Sequence, residues 1–234
     1  MRYFIFKNSS TQPRTRILQI WFLLPFFIAC LLCLASCQQK IDYFQYVSEL
    51  RSNIFLAKNE NFSLRIYSVQ KESPYAADGI PQETYHRTEI YLLADAADQP
   101  IHISFPVGQE RIQGDMSYDN VKGEYYIYFP IDVSAFSVLE CDIEYQNTVT
   151  PLQAISVVQK DTLSCKAVLN ALIQTEKNLF TSMTDKYGFT GEIYLRLIYE
   201  DSPYYYIGII ERNGTIHAFL LHAQTGKILA KRES

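Results

Sequence analysis

The chain has 234 residues, of which 21 are basic and 25 acidic. Residues 1–36 hold four of the basic residues and none of the acidic ones, which leaves 17 against 25, a formal charge of −8, for 37–234. A body this acidic speaks against nucleic acid as a partner and against adhesion to anionic lipid by charge. The 198 residues from Cys37 onward suffice for one large or two small domains, and 17 of the 18 tyrosines lie there, a composition that points to strands.

Arg2, Lys7, Arg14 and Arg16 precede an apolar run from Ile17 to about Leu34, and the run closes on Leu34-Ala35-Ser36-Cys37. A basic start, an apolar stretch and small residues at its exit are the three parts of a secretory signal. The ending resembles the lipobox of bacterial lipoproteins, in which an aliphatic and two small residues precede an obligatory cysteine. That resemblance implies a signal peptide at 1–36 that is cut away and Cys37 as the new first residue. Its thiol would carry the lipid, palmitate included, on the extracytoplasmic face of a bacterial membrane. The charge-free stretch from Ile17 to Gln39 is also long enough to remain as a membrane-spanning helix. Either reading puts residues 40–234 outside the cytoplasm. One acyl chain holds a protein marginally, whereas two or three hold it stably.

After a short tether, Tyr43, Tyr46, Val47, Leu50 and Ile54 recur at helical spacing, so the segment 37–52 is read as the lipidated Cys37, a tether and a first helix over 41–52. Period-two alternation then marks strands at Phe62–Tyr67, Ile101–Phe105, Tyr125–Phe129 and Val138–Tyr145, and a content rich in Thr, Ile and Tyr marks another at Tyr85–Leu93. Short strands at this spacing predict an antiparallel β-sandwich-like domain over 53–158. The period changes to 3.6 at Cys165, Val168, Leu169, Leu172, Ile173, Leu179, Phe180 and Met183, which predicts a helix over 162–185. Strands follow around Ile193–Leu197, Tyr204–Arg212, Thr215–His222 and Lys227–Ala230. Asn213-Gly214 between the second and third reads as a two-residue hairpin that sets Ile210 opposite His217 and Tyr206 opposite Leu221.

The helix, the Gly-bearing hairpin and the ending Ala223-Gln224-Thr225-Gly226-Lys227-Ile228-Leu229 resemble a PepSY-type domain over 162–231. The resemblance implies an α-β-β-β (PepSY/cystatin-like) module at 159–234, an α+β fold class for the whole, and restraint of a peptidase as one function.

No Gly-x-Ser-x-Gly elbow, phosphate-cradling loop or His-Glu-x-x-His pair is present, and His86, His102, His217 and His222 are scattered. Cys141 and Cys165 fall on apolar faces of a strand and a helix, either bridged outside the cytoplasm or as two separate buried thiols. Two cysteines do not make a zinc site, and no cofactor or metal is expected. Glu140, Asp142 and Glu144 line one strand face. Glu72, Tyr75 and Asp78 share a turn-rich loop and form the first candidate binding site. Tyr126, Tyr128, Tyr204 and Tyr206 form the second, because an outward tyrosine on a sheet can stack on a sugar or join a protein interface. The expectation is a non-enzymatic, membrane-anchored lipoprotein that binds an envelope protein or polymer. Its alternatives are the peptidase-restraining module and an enzyme acting on envelope glycan through carboxylates such as Glu140 or Glu72.

Overall fold

The computed structural model describes residues 41–75, 79–95 and 99–234. The leader and Cys37 lie outside the described residues, and so does Asp78. Asp42 caps a 3₁₀ turn, Tyr43–Tyr46, by accepting the Phe44 N–H at 3.2 Å. The chain then enters β1 (Val47–Lys58), followed by β2 (Phe62–Glu72), β3 (Thr84–Ala94), β4 (Ile101–Val107), β5 (Glu110–Asp119), β6 (Glu124–Phe129), β7 (Val138–Tyr145) and β8 (Thr148–Ser156). These eight pair in the order β1-β2-β3-β6-β5-β4-β7-β8, every pair antiparallel. The ring closes where Phe55 and Leu56 of β1 meet Ser156 and Ile155 of β8.

An eight-stranded barrel is just wide enough for side chains to fill it, and this one is filled. Phe55, Leu64, Ile66, Ile90, Leu92, Ile101, Ile103, Phe105, Leu139 and Ile143 point inward and are buried. Burying each such side chain contributes about 1.5–3 kcal/mol. One end is stoppered by residues 130–137, with Val133 fully buried in the lumen. Inward polar groups receive this stopper. Asn53 Nδ2 donates to the carbonyls of Ser134 and Phe136, both at 3.2 Å, and Thr88 Oγ1 donates to the carbonyl of Ile131 at 2.9 Å. The barrel is thus apolar within and polar without, the reverse of one that spans a bilayer.

Beyond β8 come helices α1 (Cys165–Thr175) and α2 (Lys177–Ser182), a small hairpin of β9 (Thr184–Asp185) and β10 (Gly188–Phe189), and then β11 (Glu192–Tyr199), β12 (Pro203–Ile210), β13 (Ile216–His222) and β14 (Ile228–Glu233). Ser164 caps α1 by accepting the Ala167 N–H. β11 runs parallel to the start of β1, from Val47↔Ile193 to Arg51↔Arg196, and β12, β13 and β14 continue the sheet antiparallel. One edge of β1 therefore serves twice, pairing with β11 along its first half and with β8 near its end. Ile193, Leu195, Leu197, Tyr205, Ile207, Ile209, Phe219 and Leu221 form the buried face of this extension. The helices cover that face. Tyr205 donates its hydroxyl to the Leu163 carbonyl at 2.7 Å, and a Cβ at Gly226 would stand 2.9 Å from that of Ala171.

Several expectations are corrected here. The fold class is not α+β. The protein is mostly β, a closed eight-stranded antiparallel barrel with extra strands, in place of a β-sandwich-like module and a PepSY-like one. The PepSY likeness fails because the C-terminal strands are not a free-standing sheet; they extend the barrel's own sheet through β1. The helix expected over 41–52 is a single 3₁₀ turn and then a strand. The helix expected over 162–185 is broken at Glu176 and ends at Ser182. The β12–β13 register is slipped by one residue. Ile210 pairs with Ile216 and Tyr206 with Leu220, because the turn holds three residues between Glu211 and Thr215, with Gly214 at φ +90°. Residues 42–234 form one body, and the sheet runs continuously across the segment that joins β8 to α1.

Candidate functional site

Side chains that alternate away from the barrel core form its outer face, and the register of β12, β11, β1, β2, β3 and β6 joins them into one surface. Tyr206 pairs with Arg196, Arg196 with Arg51, Glu49 with Lys71, Tyr67 with Glu89, and Tyr91 with Tyr126. Three carboxylates form the floor of this surface, and cations and phenol rings cover them.

Glu49 accepts Arg196 Nε at 2.8 Å and Nη2 at 2.9 Å, a bidentate pair. Burial alone raises the Glu49 carboxyl, but the hydrogen bonds and charge of Arg196 outweigh it and leave it below the usual carboxylate range. Glu89 is buried and takes Lys71 Nζ at 3.1 Å, Arg87 Nε at 3.2 Å and the Tyr91 hydroxyl at 3.3 Å. Glu124, also buried, takes Arg65. The guanidiniums then lie over rings, Arg51 at 4.2 Å from the centre of Tyr67 and Arg87 at 3.8 Å from that of Tyr128. Tyr67 and Tyr91 meet edge to face at 5.6 Å. Burial, followed by the Glu89 charge, pushes the Tyr91 hydroxyl up to about 12, so it stays a neutral donor.

The sequence-derived candidates fall in three places. Tyr126 and Tyr128, both exposed, lie at the β6 end of the surface. Tyr204 and Tyr206 lie at its β12 end, half-buried and five strands away, or about 24 Å at ordinary strand spacing. The two pairs share a face without touching. Tyr75 is half exposed, and its hydroxyl hydrogen-bonds that of Tyr194, with the rings 6.0 Å apart. Burial, with Tyr75 next, raises the Tyr194 hydroxyl. Glu72 turns inward, is buried, and accepts the Gln82 N–H at 3.0 Å.

Sequence reasoning missed the middle of this surface: Glu49, Arg51, Arg65, Tyr67, Arg87, Glu89, Tyr91, Tyr194 and Arg196. A signal was present in Arg65-x-Tyr67 and Arg87-x-Glu89-x-Tyr91, polar and aromatic residues at every second position. Only the strand register brings the pieces together.

Two of the three acids on the β7 strand face have partners. Glu140 accepts Gln153 Nε2 at 2.7 Å, and Arg111 bridges Asp142 and Ser104. Glu144 stands opposite His102, whose Nδ1 is 2.8 Å from Asp115, beside an open groove of about 390 Å³. Glu140, Asp142 and Glu144 follow one another along an outward strand face. Among the described residues, no group of three or more His, Cys, Asp or Glu could hold a metal ion, and no helix is long and apolar enough to cross a membrane. Cys141 and Cys165 are both free, the first inside the barrel and the second at the start of α1. No family model, no curated protein and no solved structure matches this chain.

Proposed function

We propose that this chain is a lipid-anchored, extracytoplasmic interaction module that works without catalysis and holds an envelope protein or polymer on the tyrosine–arginine face. The anchor rests on Leu34-Ala35-Ser36-Cys37. The binding role rests on one observation: across six strands, three acids lie beneath arginines and tyrosines that are left to meet a partner. Tyrosine and arginine are the side chains that most often supply binding energy when a partner excludes water. The buried side chains packed in the lumen favour the outer surface as the place to bind.

The test compares the full chain with an Arg87→Ala/Tyr128→Ala variant. Both are displayed on cells and crosslinked in place, and both are sedimented with isolated envelope polymer. The wild type should be retained in one of the two assays. The variant, folded and equally abundant, should lose at least about tenfold in retention, the effect of removing one hot-spot cluster. Equal retention of both proteins, or retention of neither, would overturn the reading.

A further inference from the structure

We infer that the β9–β10 hairpin is a second membrane contact, its Lys186-Tyr187 tip resting in the lipid headgroup layer beside the acylated terminus. This rests on the lipid-anchor reading above. Four residues separate Cys37 from Asp42, and five residue steps reach at most about 18 Å when fully extended. Whatever lies next to Asp42 is therefore held within about 18 Å of the leaflet.

The hairpin is what lies there. Asp42 is fixed to the body by Lys166 Nζ at 2.9 Å. Tyr43 packs edge-on against Phe180 at 5.0 Å and against Phe189 at 5.4 Å. Tyr46 packs on Phe189 at 5.4 Å, and its hydroxyl accepts the Phe189 N–H at 3.3 Å. The 3₁₀ turn is thus clamped to β10.

The tip is braced by a side-chain-capped turn. Asp185 Oδ1 accepts the N–H groups of Tyr187 at 2.7 Å and Gly188 at 3.2 Å. Tyr187 is 83% exposed, with the Lys186 ammonium 4.6 Å from its ring centre. An outward tyrosine beside a lysine suits the boundary between water and lipid, where the ring sits among headgroups and the ammonium meets phosphate. Of the nearby acids, Asp42 is matched by Lys166, and the Asp185 charge is offset by the adjacent Lys186 and by the two turn N–H groups that its Oδ1 accepts. The acidic body would not reach a leaflet by charge; the tether brings it there, and local chemistry decides which part touches.

The far end of the barrel supplies the control. The β5–β6 turn carries Val121, 96% exposed. It lies beyond the level of Leu56, nine residues along β1 from Val47, or about 30 Å. Trp21 is the chain's single tryptophan. In a Trp21→Phe background, Tyr187→Trp or Val121→Trp therefore gives one reporter. Each protein, extracted from membranes with its own anchor, is reconstituted into vesicles of phosphatidylethanolamine and phosphatidylglycerol that carry bromine high on the acyl chains. Emission from position 187 should fall roughly twofold and shift to the blue, as for an indole at the interface, and emission from 121 should not change. Protein that floats with the vesicles while position 187 stays unquenched, or while both positions quench alike, overturns the contact and leaves the anchor standing. Protein that does not float overturns both.

Discussion

Arg196 grips Glu49 across the parallel β1–β11 junction through two hydrogen bonds of 2.8 and 2.9 Å, and so joins the helical extension to the barrel on their shared outer face. Arg196→Met leaves a half-buried carboxylate without its partner, and the expected cost is about 2–3 kcal/mol in urea unfolding at neutral pH. The pH dependence has a defined sign. Folding lowers the Glu49 carboxyl from its ordinary 4.5, because Arg196 outweighs burial. A carboxyl lowered by folding contributes stability that is whole above the unfolded value and is lost as pH falls through the folded one. The gap between wild type and Arg196→Met should therefore be full at pH values above 4.5 and narrow below it. A gap that stays constant through the acid range refutes this account.

Asn53 is the second junction, between barrel wall and stopper. Its amide donates to two stopper carbonyls, and its oxygen accepts the Ile54 N–H at 2.8 Å and the Ser156 hydroxyl at 2.7 Å. Every hydrogen-bonding position of the amide is used inside a buried site. Asn53→Ala orphans several buried partners and should cost about 3 kcal/mol. Hydrogen exchange should rise selectively over 130–137, with β4 and β7 unchanged. Uniform acceleration across the barrel would show that the stopper is not a separable element.

The sequence made individual strands legible where one face is wet. Leu139, Cys141 and Ile143 alternate with Glu140, Asp142 and Glu144, and β7 spans Val138–Tyr145 as that alternation predicts. The pattern misleads in β1, where Val47, Ser48, Asn53, Ile54 and Phe55 are all buried because the strand is flanked by barrel and extension alike. A strand covered on both faces loses its period of two, and what remained mimicked a helix. β5 was missed because Gly114 stands between Ile112 and Met116 on its inward face, at a position where Ile127 fills the space. Barrel closure was illegible in principle, since alternation tells which way a side chain points and never which strand lies alongside. The same limit split the candidate surface: its tyrosines were named at both ends, and the charged centre between them exists only through pairing.

The two thiols of the body should be inert. Burial, with the neighbouring Asp142 and Glu140, pushes Cys141 up to about 12, and burial pushes Cys165 to about 11 against the lowering effect of its contact with Tyr205. At pH 8 a thiol of pKa 11 is about one part in a thousand thiolate, the reactive form. With Cys30, Cys33 and Cys37 replaced by serine, native protein should give no measurable reaction with a disulfide reagent in minutes, and two thiols per chain should react once it is unfolded. Prompt native reaction of either would show that its surroundings open.

Gly188 tests the clamp at the start of the body. Its φ is +136°, a region that side chains rarely enter, and an added Cβ would meet the Tyr46 hydroxyl at 2.3 Å. Gly188→Ala therefore strains the hairpin and pushes away the hydroxyl that holds the Phe189 N–H. The expected loss is about 2–3 kcal/mol, made up of backbone strain and one part-buried hydrogen bond. Tyr46→Phe separates the two contributions, because it removes the hydrogen bond and leaves the backbone alone, at a cost of about 1 kcal/mol. The double variant should cost less than the sum of the singles, since both remove the same bond. Strict additivity would mean that Tyr46 and the hairpin are held independently, and the 3₁₀ turn would then have another source of order.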